Sequence, residues 1–212
     1  MSESVSSRQA NIRDIPEQWP VVSSAELLRS RMVTVRTDMV RFPDNQLAER
    51  DVVIHPGAVG VLALDDADRV LMIRQYRHPV GRLLWEIPAG LRDVRGEDPW
   101  RTAQRELAEE AGYRARDWHA LADYFSSPGY STERLRIFLA RDLEVIPAAE
   151  RDFVPEHEEA QLLTDWVPLA AAVRLVLAGE MHNGPAALAV LAGYAAQLDG
   201  FAGLRPADAP ET

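Results

Sequence analysis

Arg105-Glu106-Leu107-Ala108-Glu109-Glu110-Ala111-Gly112 closes a stretch that opens at Gly90 with Gly-Leu-Arg-Asp-Val-Arg-Gly-Glu-Asp-Pro-Trp-Arg-Thr-Ala-Gln. Asp98 is a good N-cap, Pro99 suits the first helical position and Gly112 suits the stop, so the spacing predicts a helix over 99–111. On that helix Glu106, Glu109 and Glu110 are i+3 and i+4 neighbours, and Ala103, Leu107 and Ala111 form the apolar stripe that faces a core. Like charges at this spacing cost a few tenths of a kcal/mol each, and carboxylates in the last turn meet the negative end of the helix dipole. A solvated acidic face relieved by an Arg105–Glu109 pair is one reading. A bound hard cation is the other, because Mg²⁺ takes oxygen ligands, needs few protein carboxylates and leaves room for phosphate oxygens. Clustering at the wrong end of the dipole, inside a glycine-bounded frame, favours the cation.

The rest of the composition narrows the chemistry. At 212 residues the chain has the length of one domain, or of one domain with an added N-terminal layer. No run approaches 18 apolar residues, and Met1–Ser7 lacks the basic start and apolar stretch of an export signal. The sequence has no cysteine, so disulfides, thiolate metal sites and Cys nucleophiles are excluded, and a cytoplasmic setting is expected. All 23 basic residues are arginine, which rules out a Walker A lysine and Schiff-base chemistry while keeping bidentate phosphate recognition. A net charge of −10 opposes nonspecific nucleic-acid binding. The five histidines are scattered and stay unassigned.

Residues 1–20 read as a poorly ordered arm with a docked Trp19. A β layer over 21–54 follows: alternation from Arg31 to Arg41, a Pro43-Asp44-Asn45 turn and a return strand from Ala48 to His55. Ala58 to Leu64 and Val70 to Tyr76 read as a second hairpin, and Leu83 to Pro88 as a short strand entering the Gly90 loop. Trp118 to Phe125 and Leu135 to Leu143 flank the loop Ser126-Ser127-Pro128-Gly129-Tyr130-Ser131. After a polar loop to Glu159 come a strand near Leu162 to Val167 and helices over 168–177 and 185–198. The main domain spans 55–203, and 204–212 reads as a flexible tail. Many short strands with one central and two later helices make an α+β chain built as a sandwich with mixed strands.

The stretch quoted above resembles the Nudix box: Gly, five residues, Glu, seven residues, then Arg-Glu-aliphatic-any-Glu-Glu-any-Gly-aliphatic. Glu97 through Gly112 follows the pattern, with Tyr113 at a usually aliphatic position. Six residues rather than five separate Gly90 from Glu97, which reads as a one-residue loop insertion. The resemblance implies an α/β/α sandwich around a curved mixed sheet, with the N-terminal β-hairpin layer outside it. It implies metal-dependent cleavage of a diphosphate linked to another group.

Further segments resemble the ADP-ribose pyrophosphatase subgroup, its actinobacterial members in particular. These are Arg74-Gln75-Tyr76-Arg77-His78, Trp85-Glu86-Ile87-Pro88-Ala89-Gly90, and Pro128, 16 residues beyond Gly112. In that subgroup the N-terminal layer exchanges between protomers of a homodimer and completes the adenosine pocket. Carried over, the metal ligands are the Ala89 carbonyl, Glu106 and Glu110 with Glu109 close by, holding Mg²⁺ or alternatively Mn²⁺. Gly90, Glu97, Arg105 and Gly112 support the box; Arg50, Arg77, Glu86, Leu91 and Pro128 contact a nucleoside diphosphate. Glu159 is the first choice for the general base, Glu158 the second, and Glu109 a third carboxylate in the chemistry. Another nucleotide sugar, a dinucleotide cofactor, or a silent ADP-ribose sensor are the alternatives. Neither nucleic acid nor membrane is expected as a partner.

Overall fold

The computed structural model describes residues 12–150 and 163–211. The chain runs through β1 (Val21–Arg29), β2 (Thr34–Arg41), β3 (Leu47–Ile54), β4 (Ala58–Ala63), β5 (Arg69–Arg77), β6 (Arg82–Glu86) and β7 (Ala89–Leu91). It continues with α1 (Pro99–Ala111), β8 (Tyr113–Phe125), β9 (Arg134–Val145), β10 (Leu163–Pro168), α2 (Leu169–Leu177), α3 (Gly184–Leu198) and β11 (Arg205–Pro206).

The middle layer is built on strands with two apolar faces. Every residue of β4 is buried, as a strand covered on both sides requires. Val59, Val61 and Ala63 point with Phe138 and Ala140 toward Ala103 and Leu107 of α1. The alternate residues Leu62 and Leu64, with Ile137 and Leu139, point toward Leu169 and Ala172 of α2 and Ala186, Ala189 and Val190 of α3. Helices therefore cover both faces, and period-two alternation divides the core in two. Gly193 lets α3 approach β4, since a methyl group there would collide with the Leu62 side chain.

The sheet order is β11-β8-β9-β4-β7, with β4 and β9 parallel and the other neighbours antiparallel. Among the described residues a second sheet, β10-β5-β6, meets it at a bridge between Leu64 and Val70. This corrects the expected β4–β5 hairpin. The edges of β4 are taken by β7 and β9, so the chain turns at Asp65 and starts a separate sheet.

The N-terminal layer has three strands where a hairpin is expected. β2 and β3 form that hairpin across Pro43-Asp44-Asn45, and β1 adds antiparallel to β2. Irregularities at Val21/Ser23 and Glu26/Leu28 break the alternation of β1 and hide it from a periodicity reading. Trp19 packs on Phe42 at 4.8 Å between ring centroids. The layer joins the domain at the end of β3, where the Val53 N–H donates to the Tyr130 carbonyl (2.8 Å) and the Thr132 N–H to the Val53 carbonyl (3.0 Å).

The tail is also a correction. Instead of fraying, β11 pairs with β8, and the Ala209 and Pro210 carbonyls accept from the Arg136 guanidinium at 2.5 and 3.1 Å. Among the described residues no helix is long and apolar enough to cross a membrane.

Candidate active site

α1 occupies the span its end signals predict. Asp98 precedes it in extended conformation, and Gly112 ends it at φ 70°, where its N–H reaches the Ala108 carbonyl. Its apolar side is fixed by Ala103 and Leu107, both fully buried against β4. That packing turns the acidic side over β7.

The Ala89 N–H donates to Glu110 Oε2 at 2.8 Å. Gly90 lies directly under the Glu106 carboxylate, and a methyl group built there would occupy the carboxylate's position. Only a residue without Cβ allows this approach. Arg105 gathers the remaining acids, reaching Glu106 at 2.7 Å, Glu109 at 3.1 Å and Glu97 at 3.6 Å. Glu97 also accepts from Thr102 Oγ1 at 2.9 Å, a contact the sequence reading does not contain. Within the lengthened loop Gly96 takes φ 84°.

Burial dominates the electrostatics. It pushes the Glu106 carboxyl up to about 7, with the Arg105 charge opposing and Glu109 and Asp93 adding to the rise. A 2.7 Å ion pair is thus outweighed by removal from water. Burial also works against the Arg105 charge, but Glu106, Glu109 and Glu97 together hold its guanidinium above the ordinary value. Asp93, on the inserted loop, is a further nearby acid that box spacing does not single out.

Hard oxygen donors held on one helical turn beside a backbone strand are the donor set Mg²⁺ or Mn²⁺ takes. Among the described residues, no three His, Asp or Glu side chains close around a single point. Glu106 and Glu109 turn to Arg105 and Glu110 turns to the Ala89 N–H, so a cation here must draw carboxylates off those partners. The buried Glu106 carboxylate and the cradle at Gly90 make the residues a fit for it.

The other candidates divide. Glu86, 2 % exposed, holds Arg77 by both oxygens at 2.9 and 2.7 Å, so it sits behind Arg77 and aims it. Leu91 borders an open groove of about 760 Å³ with Arg31, Met32, Pro56, Arg92, Asp93 and Arg95. Pro128 is exposed on a loop whose Tyr130 and Ser131 N–H groups turn back to the Ser127 carbonyl, next to the end of β3. The described contacts of Arg50 remain in its own hairpin: the Glu49 carbonyl at 2.8 Å and the Phe42 ring. Glu158 and Glu159 lie outside the described residues.

Residues 54–188 match the NUDIX domain family. The chain is 44% identical to the ADP-ribose pyrophosphatase of Mycobacterium tuberculosis over 90% of its own length and 89% of the relative's. It is 33% identical to the ADP-ribose pyrophosphatase of Bacillus subtilis over 80% of the chain and 89% of that protein. A crystal structure of an ADP compounds hydrolase shares the fold, with a TM-score of 0.73 at 24% identity, covering 90% of this chain and 99% of the other.

Proposed function

The chain belongs to the Nudix hydrolase family, and from that premise we propose that it cleaves the diphosphate of ADP-ribose to AMP and ribose 5-phosphate. The observation that carries this reading is the acidic face of α1 folded onto β7, with Glu110 on the Ala89 N–H and Glu106 over Gly90. The substrate comes from the two pyrophosphatase relatives, each of which aligns over most of its length.

Glu106 and Glu110, with the Ala89 carbonyl and Glu109 beside them, are the groups that would hold Mg²⁺ or Mn²⁺. A bound cation there would polarise the diphosphate and acidify a water. Arg105 and Glu97 keep the acidic turn in register, and Glu86 orients Arg77, whose planar guanidinium suits a phosphate. Glu159 is the proposed base, with Glu158 second. Leu91 and Pro128 border the substrate.

A homodimer completes the proposal. Val21, Val22, Leu27 and Leu28 of β1 are each at least half exposed and suit a cover from a second copy. Arg50 would then serve the pocket of the other protomer.

The deciding experiment is a product assay on ADP-ribose beside other nucleotide sugars, dinucleotide cofactors and nucleoside triphosphates, with Mg²⁺ and with chelator. AMP and ribose 5-phosphate should appear only with metal. Equal turnover of a triphosphate sinks the substrate, and binding without turnover makes the chain a sensor. Glu159→Gln should lower kcat by roughly 10²–10⁴-fold with KM little changed, while Glu158→Gln stays mild. Near-normal rates in both variants would remove this loop from the chemistry.

A further inference from the structure

Arg136, near the start of β9, is a deeply buried charge, 2 % exposed. A guanidinium there costs several kcal/mol unless every direction is answered. Asp123, its cross-strand neighbour on β8, takes Nε and Nη2 at 2.6 and 2.9 Å, and Arg205 of β11 joins the same carboxylate at 2.8 Å. Nη1 and Nη2 also donate to the carbonyls of Ala209 and Pro210. Arg136 therefore fixes the path of 205–211 over the domain.

That path ends at the box. Glu211 takes Arg92 Nη1 with both oxygens, at 2.9 and 3.0 Å, and Arg134 lies 4.0 Å away. Arg92 heads the loop that carries the inserted residue, and its N–H donates to the Gly57 carbonyl at 3.1 Å. Asp93 through Gly96 are exposed, with a lone internal backbone bond, from the Glu97 N–H to the Val94 carbonyl. The loop is thus held at its far end by Glu97 on Thr102 and Arg105, and at its near end by Arg92 on Glu211. Between those anchors lies Asp93, three residues beyond Gly90, over which the Glu106 carboxylate lies.

We infer that segment 205–211 is an internal clamp whose Glu211, through Arg92, positions the lengthened box loop against the acidic cluster. Glu211 is a positioning residue: it touches neither the acidic turn nor the cleft, and it acts on the cluster by fixing Arg92, two residues beyond the Gly90 that lies under Glu106. The inference rests on the proposed metal-dependent reading for its consequence, but not for its geometry. An outer partner of a metal site is worth roughly 10–100-fold in metal affinity, and a residue one step further out should be worth less.

The test uses the full chain with Glu211→Gln, and with the charge swap Arg92→Glu plus Glu211→Arg. Amide hydrogen exchange is followed over 91–98, Mn²⁺ binding is measured by calorimetry without substrate, and Tm checks the fold. Glu211→Gln should speed exchange over 91–98 and weaken Mn²⁺ by about three- to tenfold, while Tm moves by less than about 2 °C. The swap should recover most of both. Unchanged exchange in Glu211→Gln, unchanged Mn²⁺ affinity with faster exchange, or a swap no better than the single variant each overturns the clamp. Failure to cleave ADP-ribose would leave these readouts intact and would strike only the substrate assignment.

Discussion

β1 and β4 both carry aliphatic side chains, yet their environments are opposite. β4 has no exposed residue, whereas in β1 every residue is exposed, including Val21, Val22, Leu27 and Leu28 at 50–62 %. The difference is in what lies above and below each strand. β4 has α1 on one face and α3 on the other, while among the described residues no helix packs extensively on the β1-β2-β3 sheet. One region is a finished core and the other an exposed, partly apolar surface.

The widest gap between the two regions should appear in single truncations. Leu62→Ala removes a fully buried side chain wedged against Gly193 and should cost about 2–5 kcal/mol, read from denaturant unfolding. Leu28→Ala should change the unfolding of dilute protein by less than about 0.5 kcal/mol. If a second copy covers β1, the Leu28→Ala penalty should grow with protein concentration. A penalty above about 2 kcal/mol at the lowest concentration would show that β1 is covered by its own chain, and the comparison fails.

These two strands also mark what could be read in advance. The box helix was legible because Asp98, Pro99 and Gly112 act within one turn of their own positions. The alternation of β2 was legible for the same local reason. The partner of β4 was not, since pairing with β9 links Ala58 to Leu135 and no short-range signal encodes it. β1 stayed hidden because its bulges interrupt the period. The docked tail was unreadable from its Pro- and Ala-rich composition, because what holds it is the buried Arg136, a residue in a strand far away in sequence. In the site, Glu97 and Arg105 are close as the box spacing suggests, but the Glu86–Arg77 fork needed the β5–β6 register, which pairs Arg77 with Arg82 and Ile73 with Glu86.

A charge can be set against the same core. Glu106 holds its proton up to about pH 7 in the folded chain against an ordinary 4.5, chiefly because it is buried. The unfolded chain releases that proton first, so the folded state of metal-free protein should lose stability as pH rises from about 4.5 to about 7. Glu106→Gln removes this penalty. It should stabilise the metal-free protein by roughly 1–3 kcal/mol at pH 8 and bring no gain at pH 4.5. An equal effect at both pH values would mean that Arg105, rather than burial, decides the state of this carboxyl. Mn²⁺ binding below pH 7 should also release protons, which calorimetry in buffers of different ionisation enthalpy can count.

The smallest expected effect separates the two regions physically. Residues 1–54 can be removed by cutting before His55, where the layer meets the domain through the end of β3 and the Tyr130–Thr132 loop. None of the core residues of either cluster lies in that segment, so the shortened chain should stay folded and keep its Mn²⁺ affinity. If the sheet serves the pocket of a second copy, the truncated protein should be monomeric, with KM for ADP-ribose raised by about tenfold. That corresponds to roughly 1.4 kcal/mol of lost contact. The rate at saturation should fall less than KM rises, because the acidic turn and its loop remain in one chain. An unchanged KM in a monomer would leave the exposed face of β1 with no part in substrate binding. A truncated chain that stays dimeric would move the interface off the sheet, and Arg50 would lose its proposed route to the other pocket.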